Sequence, residues 1–249
     1  MFKLLHSKKQ GDFMEILPLE KEIVFCEKDF YKGIIFPKSL LLKFQEIAGD
    51  HAEILGLGFQ ELMKKNLVWI ITRLKYEILK PIPKNTPLIL QTFPEPKGML
   101  DFNRDYLIKD KSGQVFVKGI SKWCLMDFSV RKIVKLQEID YLGECLLPSV
   151  FEGKFLKTEN FVPENPPVFE YLVKKEDIDV NNHLNNAEYA KIIFKAMNEK
   201  KFNFLQINFI NEAKLGEIIK VFVLEEENST KICGKLESQK TCFTAEVKL

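Results

Sequence analysis

Asp179, Asn181 and His183 stand at i, i+2 and i+4 within Asp177 to Asn186 (DIDVNNHLNN), the densest polar cluster in an otherwise apolar region. In an extended or loop segment that spacing turns the three side chains to one side, with Ile178, Val180 and Leu184 facing the core. The run leads into a predicted helix, whose first turn carries unpaired N–H groups that favour negative charge. A carboxylate, an amide and an imidazole beside such an end are the parts of a hydrolytic site that stabilises an oxyanion. The same residue types also serve structural ends, since Asp and Asn favour turns and caps, and a single His near a helix start is usually structural. The residues alone leave both readings open.

Other chemistries find less support. The five cysteines (Cys26, Cys124, Cys145, Cys233, Cys242) are odd in number and far apart, as expected of free thiols in a reducing cytoplasm. With no C-x-x-C pair and three histidines (His6, His51, His183), a structural zinc site is not expected. A net charge of +2 is too small to argue for nucleic acid. Met1 to Gly11 holds too few apolar residues for a signal-peptide core. No apolar run approaches the roughly 18 residues of a membrane span.

The cluster must be positioned by an α+β chain. Leu19 to Phe25 reads as an opening strand. Pro37 starts a helix in which Leu40, Leu41, Phe44, Ile47 and Ala48 recur at helical spacing, running to about Lys65 with a break around Gly56 and Gly58. The period then changes. Strands are predicted over 67–78, 88–93, 102–108 and 114–126, with a short one within 131–136. The stretch 137–167 carries Pro148, Pro163, Pro166 and Pro167 and reads as a linker. The order then recurs: a strand at 169–173, a helix from Asn185 to about Glu199, and strands at 204–209, 218–224, 230–236 and 242–247. Asn185 and Glu188 carry the spacing of a capping box. Each half therefore reads strand, helix, strands, an internal duplication of a fold of about 100–130 residues with a sheet wrapped round one helix. Apolar residues at 46% and 249 residues in all supply ample core, and 21 phenylalanines fit either that core or an apolar tunnel.

DIDVNNHLNNAEY resembles the hallmark of the acyl-ACP thioesterases, a family that includes the plant fatty-acyl-ACP hydrolases and bacterial relatives. NLVWIITRLKYEILKPI (Asn66 to Ile82) is similar to the family's first-domain strand after its central helix. WCLMDFSVRKIVKL (Trp123 to Leu136) is similar to its closing strand and turn, and FQEIAGDHAEILG (Phe44 to Gly56) to its first helix. The resemblance spans most of residues 20–225. It implies two tandem hot-dog domains, each an antiparallel sheet around a long central helix. Residues 1–136 would form the N-terminal domain with the acyl-chain pocket, 137–167 the linker, and 168–249 the C-terminal domain with the catalytic residues.

The resemblance also implies the chemistry. Asp179, Asn181 and His183 match the family's Asp, Asn and His, and Glu212 matches a downstream Glu in a strand after the second helix. Ala213 stands where many members have Cys. A nucleophilic mechanism needs a thiolate, which Ala213 cannot supply, so water attacks the thioester directly. Glu212, half-buried against apolar neighbours, is the expected general base. His183 and Asn181 orient the water or polarise the carbonyl, and Asp179 holds its neighbours in place. His51 is read as a satisfied buried group. Trp69, Ile71 and Phe93 suit either plain core or an acyl tunnel. Of 37 basic residues 34 are lysine, a surface suited to an acidic carrier.

The implied activity is hydrolysis of fatty acyl-ACP to free fatty acid and holo-ACP, ending chain elongation in fatty acid biosynthesis. The setting is a bacterial cytoplasm. The partner is an acyl carrier protein bearing a phosphopantetheine-linked acyl chain, with no metal or organic cofactor. Homodimer formation is optional, because the two halves already make an internal pseudo-dimer. The alternatives are an acyl-CoA thioesterase, an enoyl hydratase of the same fold, and a non-catalytic acyl-binding regulator.

Overall fold

The computed structural model describes residues 7–10, 13–136, 145–179 and 181–249. The expectations for the first residues, for 137–144 of the linker and for the side chain of Val180 lie partly or wholly outside these.

The strands in chain order are β1 (Ser7–Gln10), β2 (Phe13–Ile16), β3 (Leu19–Ile23), β4 (Phe30–Tyr31) and β5 (Ile34–Ile35). Helices α1 (Pro37–Ile54) and α2 (Phe59–Met63) follow, then β6 (Leu67–Ile78), β7 (Leu88–Pro94), β8 (Phe102–Lys109), β9 (Val115–Asp127) and β10 (Lys132–Ile133). The second half holds β11 (Phe169–Leu172), α3 (Asn186–Ala196), β12 (Phe204–Phe209), β13 (Ile218–Glu225), β14 (Thr230–Leu236) and β15 (Thr241–Lys248). The predicted strands at 67–78, 204–209 and 230–236 coincide with β6, β12 and β14. The two small hairpins β1–β2 and β4–β5 were not expected, since segments of two to four residues carry too few positions for a period to show.

Two compact units are formed. The first comprises Met1–Phe25, Lys43–Leu74 and Ile78–Gly153; the second comprises Cys26–Leu42, Lys75–Glu77 and Lys154–Leu249. In the first, the sheet order is β6-β9-β8-β7-β3, and in the second β12-β15-β14-β13-β11. The two orders are the same when each half is numbered from its own first strand. The second strand pairs with the fifth, and the first lies outside the third. This is the tandem duplication expected from the recurring order of elements, and each sheet carries a helix against it as a hot-dog domain does.

In the first unit, Phe44 of α1 stacks on Tyr106 of β8 at 4.4 Å between ring centroids. His51 on the same helix is fully buried, with Nδ1 2.9 Å from the Arg104 guanidinium. Trp69 and Phe93 belong to packed clusters. Trp69 meets Phe102 edge-on at 5.6 Å and donates to the Leu57 carbonyl at 2.9 Å, while Phe93 packs with Ile16 and Cys145.

In the second unit, α3 buries Tyr189, Ile192, Ile193 and Phe194 on its sheet. Tyr189 meets Phe209 of β12 at 5.5 Å and Phe243 of β15 at 5.3 Å, both edge-on. Gly234 of β14 makes room for that ring. A Cβ there would lie 2.6 Å from Phe243 Cδ1 and 2.9 Å from Ile219 Cγ2. Gly234→Ala should therefore destabilise the protein by about 1–3 kcal/mol, the usual cost of overpacking a filled core. Urea unfolding measures it, and an unchanged midpoint would show that the Phe243 ring moves aside freely.

Cys145 to Pro167 contains no helix or strand. Within the first unit its Val150 N–H donates to buried Asp105 at 3.2 Å. Within the second, the Leu156 carbonyl accepts from Gln206 of β12 at 2.8 Å, and Thr158 meets Thr244 of β15 at 3.0 Å. Such side-chain partners take up the hydrogen-bonding groups of a chain that has no ladder of its own.

Candidate active site

The cluster singled out by its spacing does not run extended. Lys175–Asp177 form a single 3-10 turn, and Ile178 then pairs with Leu184 in one antiparallel bridge. Between them the chain reverses. Asp179 N–H donates to the His183 carbonyl at 2.8 Å, and Asn182 N–H to the Asp179 carbonyl at 3.1 Å. Asn182 sits in the left-handed region at φ 61°, a conformation Asn tolerates better than most residues. The Asp179 carboxylate folds inward: its Oδ1 accepts the N–H of Asn181 at 2.8 Å and of His183 at 3.3 Å. The three residues are thus arranged around a tight turn, not along one side of a strand. The reason is local, since an Asp side chain bonded to the N–H two residues on makes a turn of its own.

Two rungs fix where the turn returns. Asn185 N–H donates to the Asp177 carbonyl at 2.9 Å, and Leu184 N–H to the Ala213 carbonyl at 2.8 Å. The second rung brings in Glu212, 29 residues beyond His183 in sequence. His183 Nε2 lies 3.1 Å from Glu212 Oε2. Glu212 is not in a strand: it stands three residues past the end of β12, in the link to β13. Its side chain is 39% exposed rather than half-buried among apolar groups, and that of His183 is 19% exposed. The link is pinned on both sides of Glu212. Ile210 and Asn211 N–H groups donate to the Cys242 carbonyl at 2.9 and 3.2 Å, and the Asn211 side chain donates to the Thr241 carbonyl at 2.7 Å. Ala213 is fully buried and its N–H meets the Tyr189 hydroxyl. Burial drives that hydroxyl above its ordinary pKa, so it stays neutral.

The structure therefore gathers His183 with Glu212, and Asp179 with the backbone of Asn181 and His183, while Asn181 itself is exposed. The start of α3 is partly spent. Asn185 caps it, its side chain accepting from Ala187 N–H at 2.8 Å, and its carbonyl accepts from Glu188 N–H. The expected capping box does not form, because the Glu188 carboxylate is buried and paired with Lys38 and Lys191. That cluster, with Asp177 and Tyr171, escaped the sequence reading. The Glu188–Lys191 spacing of three, a helical ion-pair spacing, was its one visible signal. No thiolate substitutes for the missing Cys at 213 from the buried thiols of this unit: burial pushes Cys233 up to about 11 and Cys242 up to about 12.

The family model for the acyl-ACP thioesterase N-terminal domain matches residues 20–142, and that for the acyl-ACP thioesterase C-terminal domain matches residues 163–245. The chain belongs to the acyl-ACP thioesterase family. It is 27% identical over 196 residues to the chloroplastic oleoyl-acyl carrier protein thioesterase of Coriandrum sativum, covering 72% of this chain and 53% of that one. The chain spans about half the length of the curated relatives it matches. Among solved structures, it is similar to an acyl-ACP thioesterase from Bacteroides thetaiotaomicron, with a TM-score of 0.83, 22% identity, and coverage of 93% of this chain and 97% of that one. It is also similar to the 12:0-ACP thioesterase from Umbellularia californica, with a TM-score of 0.80, 15% identity, and coverage of 97% and 98%. At such identities these likenesses establish the hot-dog fold of this acyl-ACP thioesterase family member. Among its described residues no helix is long and apolar enough to cross a membrane.

Proposed function

We propose that the chain hydrolyses the thioester of fatty acyl-ACP, releasing free fatty acid and holo-ACP and so ending chain elongation in a bacterial cytoplasm. The observation that carries this reading is the His183–Glu212 pair, 3.1 Å apart beside the Asp179 turn in a member of this family. Asp179, Asn181, His183 and Glu212 are the proposed catalytic set. Glu212 takes a proton from a water as its oxygen attacks the thioester carbonyl carbon. The carbonyl electrons move onto oxygen, where the Asn181 amide and the positive end of α3 stabilise them. The tetrahedral intermediate then collapses, the C–S bond breaks, and the departing phosphopantetheine sulfur takes the proton back. His183, held to Glu212, keeps that carboxylate aimed at the water. Asp179 supports both neighbours by accepting their backbone N–H groups.

The acyl chain is assigned to the helix–sheet interior of residues 1–136, with 137–167 as linker and 168–249 as the catalytic half. What supports this is the apolar face of α1 within the first unit, where Phe44 and Ile47 are buried. The lysine-rich surface favours an acidic carrier protein, attracted by charge and released readily.

The test is release of free thiol from a length series of acyl-ACPs, with acyl-CoA and 2-enoyl thioesters in parallel. Turnover of acyl-ACP with no burst of bound acyl group is expected. Turnover confined to acyl-CoA, hydration of the enoyl substrate, or binding without turnover would each replace the proposal by a different one.

A further inference from the structure

Behind the turn lies a second polar cluster that touches none of the proposed reacting groups. Asp177 is 2% and Glu188 3% exposed, so two carboxylates are out of water. Lys191, in the second turn of α3, reaches both: its Nζ lies 3.2 Å from Asp177 Oδ1 and 3.1 Å from Glu188 Oε2. Lys38, from the first turn of α1, takes the other oxygen of Glu188. The Lys191 ammonium also donates to the Tyr171 hydroxyl at 3.0 Å, and Asp177 Oδ2 accepts Lys174 N–H at 3.0 Å. Two ammonium groups, each partly in solvent, balance the charge of the two buried carboxylates. Burial alone would raise the Asp177 carboxyl. The Lys174 N–H, the Tyr171 hydroxyl and the Lys191 ammonium outweigh it and hold the carboxyl below its ordinary value.

The position of this cluster gives it a consequence. Asp177 and Asn185 are the two feet of the turn, bonded to each other at 2.9 Å. The neighbouring rung, Leu184 to Ala213, sets His183 against Glu212. Lys191 ties the first foot to the helix that begins at the second. We propose that Lys191, acting through Asp177 and Glu188, is a positioning residue that holds the Asp179–His183 turn in register with Glu212. This rests on the catalytic reading of that turn. Displacing a reacting group by about 1 Å can cost on the order of 100-fold in rate.

Steady-state kinetics on acyl-ACP test it, with wild type, Lys191→Met, Lys191→Arg and His183→Ala compared per mole of folded protein. Nitrogen-15 NMR of the histidine rings reports the His183–Glu212 hydrogen bond independently of turnover. Lys191→Met should lower kcat by about 10–100-fold with KM within a factor of about three. It should also shift the His183 ring signals, and Lys191→Arg, which keeps the charge and the reach, should restore both. Wild-type kcat and unmoved His183 signals in Lys191→Met, while His183→Ala abolishes turnover, would overturn the positioning role and leave the catalytic reading standing. Full activity in His183→Ala would overturn the reading itself, and the positioning role with it. If Lys191→Met does not fold, Asp177→Asn gives the same two readouts, and wild-type values for both would overturn the proposal.

Discussion

Glu212→Gln is expected to lower kcat for acyl-thioester hydrolysis by about 100- to 10,000-fold, the range that loss of a general base costs, with KM nearly unchanged. The substitution is close to isosteric, and a Gln side chain can still meet His183 Nε2 at the 3.1 Å now spanned to the carboxylate. What it removes is the lone pair of a charged oxygen that takes the proton from water. Binding of the acyl chain and of the carrier does not use that proton, so affinity should survive. His183→Ala should cost a similar factor but leave Glu212 unaimed. Unchanged turnover in Glu212→Gln would remove the base assignment, and a trapped acyl-enzyme would replace water attack by covalent catalysis. The second outcome would need a nucleophile other than the buried thiols, because burial keeps Cys233 and Cys242 protonated at neutral pH.

The largest stability effect is expected in the first unit, at Asp105 of β8. Its side chain is fully buried, Oδ2 accepts Val150 N–H at 3.2 Å, and Oδ1 meets no donor among the described residues. The Glu95 carboxylate lies beside it, held by Asn103 Nδ2 at 2.7 Å. Burial first, and the Glu95 charge second, push Asp105 up to about 8. The unfolded chain releases that proton near the ordinary value of about 4. The folded state thus binds one more proton between about pH 4 and about pH 8, and wild-type stability falls as pH rises through that window. Asp105→Asn offers an amide N–H to Glu95 and a carbonyl to Val150 with nothing to ionise. Relative to wild type it should gain on the order of 5 kcal/mol between pH 4 and pH 8. In a chain of this length that is about 10 °C in Tm. Thermal melts at the two pH values measure the difference, and an equal Tm for the two proteins at pH 8 would sink the assignment.

Long, regular elements were legible because their side chains repeat. Leu67 to Ile78 alternates with β-branched and aromatic residues over twelve positions, and the strand has those bounds. The helix carrying Phe44 and Ile47 shows its stripe, and Gly56 and Gly58 mark its break before α2. The hairpins at Ser7–Ile16 and Phe30–Ile35 are too short to carry a period. At the site, the types and order of Asp179, Asn181 and His183 could be read, but the turn they make could not. It depends on the Asp179 side chain bonding the backbone in preference to facing outward. Glu188 shows the same limit. Its spacing from Asn185 satisfies a capping box, yet the ammonium groups of Lys38 and Lys191 compete for its buried carboxylate and win. A charge out of water takes a full ionic partner before a single backbone N–H.

By itself the sequence determined two halves of recurring strand, helix and strands and the residue types able to do hydrolytic chemistry, because periodicity and residue type are local properties of a chain; the hot-dog fold was implied by the family resemblance. The sequence also settled that position 213 carries no thiol. The tertiary structure alone decided that His183 and Glu212 meet, that Glu212 lies beyond its strand and partly in solvent, and that two buried carboxylates with their lysine partners stand behind the turn. The His183–Glu212 and Lys38–Glu188 contacts join residues 29 and 150 positions apart. Closing such distances is the work of sheet pairing and core burial summed over the whole domain, and no local pattern records it.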